Sequence, residues 1–259
     1  MYYAQKNEKD INELYKIFSP EIFNKYMYNL EQKNTRQGII CVLTGSAGTG
    51  KTETALQLAR SCKRNIVKYD VTQISSGYIG VAVNKVKEIF DSYYKVVKHS
   101  KEYPILFLNE ADSFFSRRID LSYAGNYVSN IDENRTQTVL LESLENFKGI
   151  LIATTNIVTN FDPAFERRFL YKIVFDKPDK NSRAMILKNI LPELKEDELH
   201  FIANNYDLTG AQIENISRKL EIRKVINENI NLFNEINLLC KDEIDNCFIQ
   251  NNITIGFNK

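Results

Sequence analysis

Short runs of apolar residues recur along the middle of the chain and alternate with longer segments of mixed polarity. The runs are rich in Val, Ile and Leu, and they are Ile39–Leu43, Ile66–Val71, Ile105–Leu108, Ile150–Thr154 and Tyr171–Phe175. Such runs are typical of strands buried on both faces of a mostly parallel sheet. The segments between them have apolar residues at helical spacing, which predicts helices at Lys51–Cys62, Val83–His99 and Thr136–Asn146. This alternation predicts an α/β domain.

The two ends of the chain show a different pattern. Residues 8–31 predict one or two amphipathic helices with an interruption at Ser19-Pro20, because Pro suits the first turn of a helix. After Pro178 the strand pattern stops, and helical periodicity returns in Ser182–Leu191, Glu196–Tyr206, Gly210–Asn229 and Asn234–Cys247. The tail Asn251–Lys259 is a candidate for a short strand. We therefore predict an N-terminal helical segment (1–36), a large α/β domain (37–177) and a small helical domain (178–259).

Composition and charge argue against several classes of protein. The 259 residues are 43% hydrophobic and 26% charged, which is the composition of a folded domain. The 34 Lys and Arg balance 33 Asp and Glu, so no overall field favours nucleic acid, although a local basic patch remains compatible with this total. The four cysteines form no CxxC pair and the N-terminus is polar, which disfavours a zinc site and a membrane anchor. We expect a cytoplasmic protein with buried free thiols.

A phosphate-binding motif stands between the first strand and the helix after it. The pattern GxxxxGK[ST] is matched by Gly45, Ser46, Ala47, Gly48, Thr49, Gly50, Lys51 and Thr52. Glycines let successive backbone N–H groups face a phosphate, and the start of the helix adds partial positive charge. In such a loop, the Lys reaches the β- and γ-phosphates and the Thr hydroxyl binds Mg²⁺. A glycine-rich turn without a ligand is the weaker alternative.

Polar residues end two of the other apolar runs. Ile105–Leu108 is followed by Asn109, Glu110, Ala111 and Asp112. A P-loop fold needs acidic groups at the end of a neighbouring strand to hold Mg²⁺ and to polarise the attacking water. A helix N-cap is the alternative for this tetrapeptide, because Asn and Asp both favour that position. The run from Gly149 ends in Thr154, Thr155 and Asn156, where an Asn in a surface turn is the alternative.

These motifs, followed by the stretch Phe161–Phe169, resemble the AAA family of the AAA+ ATPases from about Gln37 to Cys240. The likeness is closest to small stand-alone bacterial AAA ATPases. It implies a P-loop three-layer sandwich with a five-stranded, mostly parallel sheet in the order 5-1-4-3-2. A small helical lid would follow, and ATP with Mg²⁺ would bind between the two. The acidic strand end resembles a Walker B strand, except that Asn109 stands where the family has Asp.

The resemblance also implies roles for particular residues. Glu110 matches the family's catalytic glutamate, and Asn156 matches the sensor 1 residue that binds the γ-phosphate or the attacking water. Asn109 and Thr52 would serve Mg²⁺, and the missing charge at Asn109 should weaken metal affinity more than water positioning. Thr52 and the rest of the P-loop would hold the phosphates. ATP or ADP and Mg²⁺ are thus the expected cofactors.

Three further segments bear on assembly and substrate. Arg167 and Arg168 match the arginine fingers that enter a neighbouring subunit's ATP site, and Arg168 is the favoured finger. Gly210 and Ala211 match the Gly-Ala of the lid, near the adenine and ribose, although a helix start capped by Thr209 has the same sequence. The segment Ser76–Gly80 resembles the pore loop that grips polypeptide through Tyr78 and Ile79, and a tight turn fits it equally well.

The sequence therefore predicts Mg-dependent ATP hydrolysis in a ring or head-to-tail oligomer that remodels or unfolds a protein substrate. Two alternatives remain open at this stage. An ATP-binding switch with weak turnover would fit the lost charge at Asn109. An accessory ATPase of DNA transactions would fit the basic clusters Lys95–Lys101 and Arg117-Arg118, although the balanced net charge disfavours nucleic acid as a partner.

Overall fold

A computed structural model of the chain describes residues 5–73, 81–115, 127–158, 161–227 and 230–250. The strands are β1 (Gly38–Gly45), β2 (Ile66–Asp70), β3 (Ile105–Asn109), β4 (Gly149–Thr155) and β5 (Tyr171–Phe175). The first helices are α1 (Gln5–Ile17), α2 (Pro20–Gln32), α3 (Lys51–Ser61), α4 (Val81–His99), α5 (Asp112–Phe115) and α6 (Tyr127–Glu145). They are followed by α7 (Pro163–Glu166), α8 (Lys180–Ile190), α9 (Glu196–Asn205), α10 (Gly210–Ile226) and α11 (Leu232–Gln250).

Contacts divide the chain into two units. The first comprises Gln5–Ala47 and Lys51–Phe175, and the second comprises Gly48–Gly50 together with the helices that follow Asp176. Helices α1 and α2 thus group with the strands. The three segments 1–36, 37–177 and 178–259 drawn from the sequence remain a prediction.

The first unit is built on a parallel sheet of five strands in the order β2-β3-β4-β1-β5. This is the predicted order 5-1-4-3-2, and the three-layer α/β fold class is confirmed. The central strands are apolar on both faces because both are covered: β1, β3 and β4 are buried almost throughout. One face packs against α4 and α6 through a core that includes Phe90, Tyr93 and Phe147. Helix α3 contacts β1, β3 and β4.

Helices α1 and α2 pack on the sheet unit through residues buried on one side of each helix. Ile11, Leu14, Phe18 and Phe23 are fully buried. Helix α1 contacts the edge strand β5, where Asn7 Nδ2 donates to Val174 O at 2.7 Å. An edge strand presents unpaired backbone groups, and α1 covers some of them here.

The second unit is helical. Its core is formed by apolar residues of α8, α9, α10 and α11, among them Leu187, Ile202, Ile213 and Ile236. Arg183 is buried in this unit and its Nη1 donates to the carbonyls of Ala203 and Tyr206, each at 2.7 Å. The candidate strand Asn251–Lys259 lies outside the described residues.

Candidate functional site

The carboxyl ends of β1, β3 and β4 lie side by side, because these strands are adjacent and parallel. The phosphate loop follows β1, the Asn-Glu-Ala-Asp segment follows β3, and Asn156 follows β4. In open α/β sheets, ligands bind at this edge of the sheet. The topology therefore brings three of the sequence motifs to one place.

Glycine is required at several points of the phosphate loop. Gly45 has a φ of 141°, and a Cβ added there would lie 2.1 Å from Phe175 O of the neighbouring strand. Gly48 and Gly50 have φ angles of 76° and 95°, which side chains rarely tolerate. Helix α3 then begins at Lys51. The loop thus has the backbone curl and the helix start that suit a phosphate.

The ammonium of Lys51 is buried, with the residue only 8% exposed. Its Nζ donates to Gly45 O at 2.6 Å, to Ser46 O at 2.7 Å and to Asn156 Oδ1 at 3.0 Å. Burial lowers the pKa of Lys51, and the nearby carboxylates of Asp112 and Glu110 oppose that shift. The Lys51 ammonium is therefore held at the loop by three oxygen acceptors.

Thr52 and Asn109 meet at the end of β3. Thr52 Oγ1 donates to Asn109 Oδ1 at 3.0 Å, and Thr154 Oγ1 donates to the same oxygen at 3.1 Å. Asp70, the last residue of β2, pairs with Asn109 in the sheet register. Hydrogen bonds from Thr72 hold the pKa of Asp70 below its usual value. A hydroxyl, an amide oxygen and a carboxylate are hard oxygen groups of the kind that Mg²⁺ prefers, so this donor set fits that ion.

Glu110 is exposed at the end of β3 and has a left-handed backbone, with a φ of 55°. Its N–H donates to Thr154 Oγ1 at 3.1 Å, and the next N–H, of Ala111, donates to Thr154 O at 2.8 Å. Such a conformation is uncommon outside glycine and recurs at functional sites. Two hydrogen bonds to one residue of β4 hold it here.

Asn156 lies between Lys51 and Asp112. Its Oδ1 accepts from Lys51, while its backbone N donates to Asp112 Oδ1 at 2.7 Å and its Nδ2 donates to Asp112 Oδ2 at 3.2 Å. Thr155 Oγ1 also donates to Asp112 Oδ1. The described structure therefore joins Lys51, Asn156 and Asp112 in one chain of hydrogen bonds.

The two arginines after α7 differ in their surroundings. Arg167 is exposed, and its Nε donates to Pro163 O at 3.2 Å. The Arg168 side chain is 18% exposed, donates to Ala164 O at 2.6 Å and forms an ion pair with Glu145 at 2.8 Å. Arg36 forms an ion pair with the same glutamate. Arg168 is thus bound to the end of α6 through Glu145, whereas the Arg167 side chain is exposed to solvent.

Ala211 lies against the phosphate loop, because its N donates to Gly48 O at 3.3 Å, and both residues belong to the second unit. Gly210 and Ala211 are the first residues of α10 in the second unit, and Thr209 caps that helix by accepting from Gln212 N at 3.3 Å. Tyr78 and Ile79 lie outside the described residues.

Sequence reasoning assigned no role to Asp70, Asp112 or Thr154. Asp112 belonged to the quoted motif after β3, and Asp70 ends the second strand, so their places at the sheet edge could have been inferred from topology. The partners of Asp112 and Thr154 could not, because they lie at the ends of other strands, whereas Asp70 accepts from the nearby Thr72.

Comparison with known proteins gives one family. Residues 41–177 match the family described as "ATPase family associated with various cellular activities (AAA)". The chain is 29% identical over 194 residues to "ATP-dependent zinc metalloprotease FtsH 2" of Sphaerobacter thermophilus, covering 70% of this chain and 28% of that protein. It is 26% identical over 218 residues to the "Proteasome-activating nucleotidase" of Sulfurisphaera tokodaii, covering 80% of this chain and 53% of that protein. The chain therefore spans between about a quarter and a half of these relatives.

A solved chain of the E. coli MS115-1 HORMA:CdnC:Trip13 complex has the same fold, with a TM-score of 0.69 at 18% identity. The match covers 91% of this chain and 88% of that one. Among the residues that the structure describes, no helix combines the length and the apolar character needed to cross a membrane.

Proposed function

The chain belongs to the AAA family of ATPases, and we propose that the loop Gly45–Thr52 holds the phosphates of ATP for hydrolysis. The observation that carries this proposal is the buried Lys51 ammonium, placed beside glycines with positive φ and bonded to Asn156 at the end of β4. A buried cation needs anionic or strongly polar partners. The triphosphate of ATP supplies such partners, and Lys51 would bind its β- and γ-phosphates.

Glu110 is the residue that we propose to polarise the attacking water. It follows a buried strand, is exposed, and is fixed in the backbone by two hydrogen bonds to Thr154. A carboxylate at this place can accept a hydrogen bond from water and orient it for in-line attack on the γ-phosphate. Asn156 would complete the water site or bind the γ-phosphate.

Thr52 and Asn109 are the residues that we propose to serve Mg²⁺, with Asp70 beside them. Bound Mg²⁺ would neutralise charge that develops on the phosphates. The Thr52 hydroxyl and the Asn109 amide oxygen already lie 3.0 Å apart, which supports their acting on one ion. ATP or ADP with Mg²⁺ are thus the cofactors in this proposal, and Gly210 and Ala211 are kept as candidates for contact with the base and ribose.

We propose that hydrolysis needs a second copy of the chain, which supplies an arginine to the phosphates. Arg167 and Arg168 are both candidates, and their contacts favour Arg167. Arg168 is held by Ala164 and Glu145 within its own copy, so its guanidinium would have to leave an ion pair to reach another site. Arg167 keeps its side chain in solvent. In this proposal Arg168 supports the segment from which Arg167 extends.

The proposed work of hydrolysis is the remodelling or unfolding of a polypeptide in a ring-shaped oligomer. Two relatives are named as an ATP-dependent protease and as a proteasome-activating nucleotidase, and these names support a protein substrate. The pore-loop candidates Tyr78 and Ile79 lie outside the described residues, so this part of the proposal rests on the relatives and on the sequence.

Mixing two inactive variants tests the shared site. Arg167→Ala should lower ATP hydrolysis by about 10³ because it lacks the finger, and Glu110→Gln should be slow because it cannot polarise water. In mixed oligomers, the intact Arg167 of a Glu110→Gln copy serves the intact site of an Arg167→Ala copy. We therefore expect the mixture to hydrolyse ATP faster than the sum of the separate variants, measured as phosphate release.

In the matched control, the double variant Glu110→Gln/Arg167→Ala replaces Glu110→Gln. Neither copy in this mixture has Arg167, so we expect no recovery of ATP hydrolysis. Recovery with an Arg168→Ala partner, but none with Arg167→Ala, would assign the finger to Arg168. If no mixture exceeds the sum of its components, the proposal of a site shared between copies is wrong.

A further inference from the structure

Both carboxylate oxygens of Asp112 accept hydrogen bonds from residues at the end of β4. Its Oδ1 accepts from Asn156 N at 2.7 Å and from Thr155 Oγ1, while its Oδ2 accepts from Asn156 Nδ2 at 3.2 Å. Asp112 is half-buried at the start of α5, directly after the segment that contains Glu110. One carboxylate therefore contacts both the backbone and the side chain of Asn156.

These contacts determine the orientation of the Asn156 side-chain amide. A carboxylate only accepts hydrogen bonds and an ammonium only donates them. Asn156 has Asp112 on one side and Lys51 on the other, so a single orientation satisfies both: Nδ2 toward Asp112 and Oδ1 toward Lys51. If the amide turned over, its NH₂ group would face the Lys51 ammonium and its oxygen would face the carboxylate. Asp112 thereby orients the acceptor end of Asn156 toward Lys51.

A purely structural role for Asp112 is the competing explanation. The ends of β3 and β4 are, however, joined by other hydrogen bonds: Ala111 N to Thr154 O at 2.8 Å, and Glu110 N to Thr154 Oγ1 at 3.1 Å. These bonds do not involve Asp112, so the strand ends stay connected without it. What only Asp112 provides among these contacts is the acceptor for Asn156 Nδ2.

We propose that Asp112 is a positioning residue for ATP hydrolysis, which fixes the side-chain amide of Asn156 with its oxygen toward Lys51 and the attacking water. This inference rests on the proposed function of the site. In hydrolysis, the amide oxygen of Asn156 is then available to accept a hydrogen bond from the attacking water without first turning over. In this proposal Asp112 acts through Asn156.

The test is a double-mutant cycle between Asp112→Asn and Asn156→Ala. Asp112→Asn keeps the size of the side chain but places N–H groups opposite Asn156 Nδ2, so the Asn156 amide should turn. We expect kcat to fall by about tenfold or more, while the Kd for a fluorescent ATP analogue stays within about threefold. In the Asn156→Ala background, Asp112→Asn should change kcat by less than about twofold, because the residue it positions is gone.

Two further variants keep the test decisive. Thr155→Val removes the Thr155 hydrogen bonds to Asp112 and from Ile157 N but leaves both contacts of Asp112 with Asn156, so its kcat should stay well above that of Asp112→Asn. Asp112→Ala serves if Asp112→Asn does not fold, with the same coupling to Asn156 expected. Additive effects of Asp112→Asn and Asn156→Ala, or an unchanged kcat in Asp112→Asn, would overturn the inference. The proposed function fails separately, if Glu110→Gln hydrolyses ATP as fast as the unmutated chain.

Discussion

At the scale of single residues, Asn109 places a neutral amide, and not a carboxylate, beside the phosphate loop. Its amide oxygen accepts from Thr52 and Thr154 at 3.0 and 3.1 Å, so the hydroxyl that is proposed to serve Mg²⁺ is already directed at it. The amide oxygen carries only a partial charge. The full negative charges nearby belong to Asp70, Glu110 and Asp112, and none of these residues occupies the position of Asn109.

Asn109→Asp should raise the affinity of the site for Mg²⁺. The substitution preserves size, and both hydroxyl donors can bind a carboxylate oxygen as well as an amide oxygen. A full negative charge close to a divalent cation contributes several-fold or more in affinity even when it is screened. We expect the Mg²⁺ concentration for half-maximal hydrolysis to fall by about tenfold, measured by titration at fixed ATP.

The control at this position is Asp70→Asn, which removes the carboxylate next to Asn109 in the sheet register. It should raise the Mg²⁺ requirement, in the opposite direction to Asn109→Asp. If the Mg²⁺ requirement is the same in Asn109→Asp and in the unmutated chain, Asn109 does not act on the metal.

At the same scale, the sequence predicted which residues surround the phosphate loop but not how they are connected. Lys51, Asn109 and Asn156 could be picked out because each occupies a fixed place in a motif. Asp112 stood in one of those motifs, but its role could not be predicted, because that role comes from its hydrogen bonds with Asn156, which follows β4. Contacts between strand ends depend on tertiary structure, which periodicity and spacing do not report.

At the scale of secondary-structure elements, Arg64 links the N-terminal helices α1 and α2 to the rest of the first unit. It is 5% exposed, its Nε donates to Phe18 O at 2.6 Å, and its Nη1 donates to Tyr103 O at 2.6 Å. Its guanidinium also lies 4.8 Å from the centre of the Phe23 ring. Phe18 follows α1 and Phe23 lies in α2, so one side chain contacts both helices.

Arg64→Ala should destabilise the sheet unit by about 3 kcal/mol, because it leaves two buried carbonyls without their charged donor and removes the contact with Phe23. Denaturant unfolding measures the loss of free energy. Arg60 provides the comparison, since it is exposed and its ion pair with Glu53 is 3.5 Å long. Arg60→Ala should change the free energy of unfolding by less than about 0.5 kcal/mol. Equal effects of the two substitutions would show that Arg64 does not hold these helices.

The strands were the elements predicted best, since buried apolar runs with polar ends define them: Tyr171–Phe175 matches β5, and the other four differ only at their ends. Helix α6 was predicted from Thr136, whereas it begins at Tyr127. Its first half is mostly polar and has no apolar stripe, so periodicity does not reveal it. Helices α5 and α7 have four residues each, which is too short for any helical period to appear.

At the scale of the whole molecule, the sheet order explains why one loop can serve as the site. Strand β1 lies between β4 and β5, and β3 lies on the other side of β4. The phosphate loop therefore stands beside Asn156, with Glu110 one strand further along. This order could be predicted because the motifs identified the family. The substrate could not be predicted, because one fold and one kind of ATP site can host many different functions.

The measurement that tests the account most directly is single-turnover ATP hydrolysis by Glu110→Gln and by the unmutated chain. We expect Glu110→Gln to release phosphate more slowly by a factor of about 10² to 10⁴, while its Kd for a fluorescent ATP analogue stays within about threefold. Glu142→Gln, a matched change at an exposed glutamate of α6, should alter neither quantity. Equal rates for Glu110→Gln and the unmutated chain would contradict the account, because hydrolysis would then not use this site.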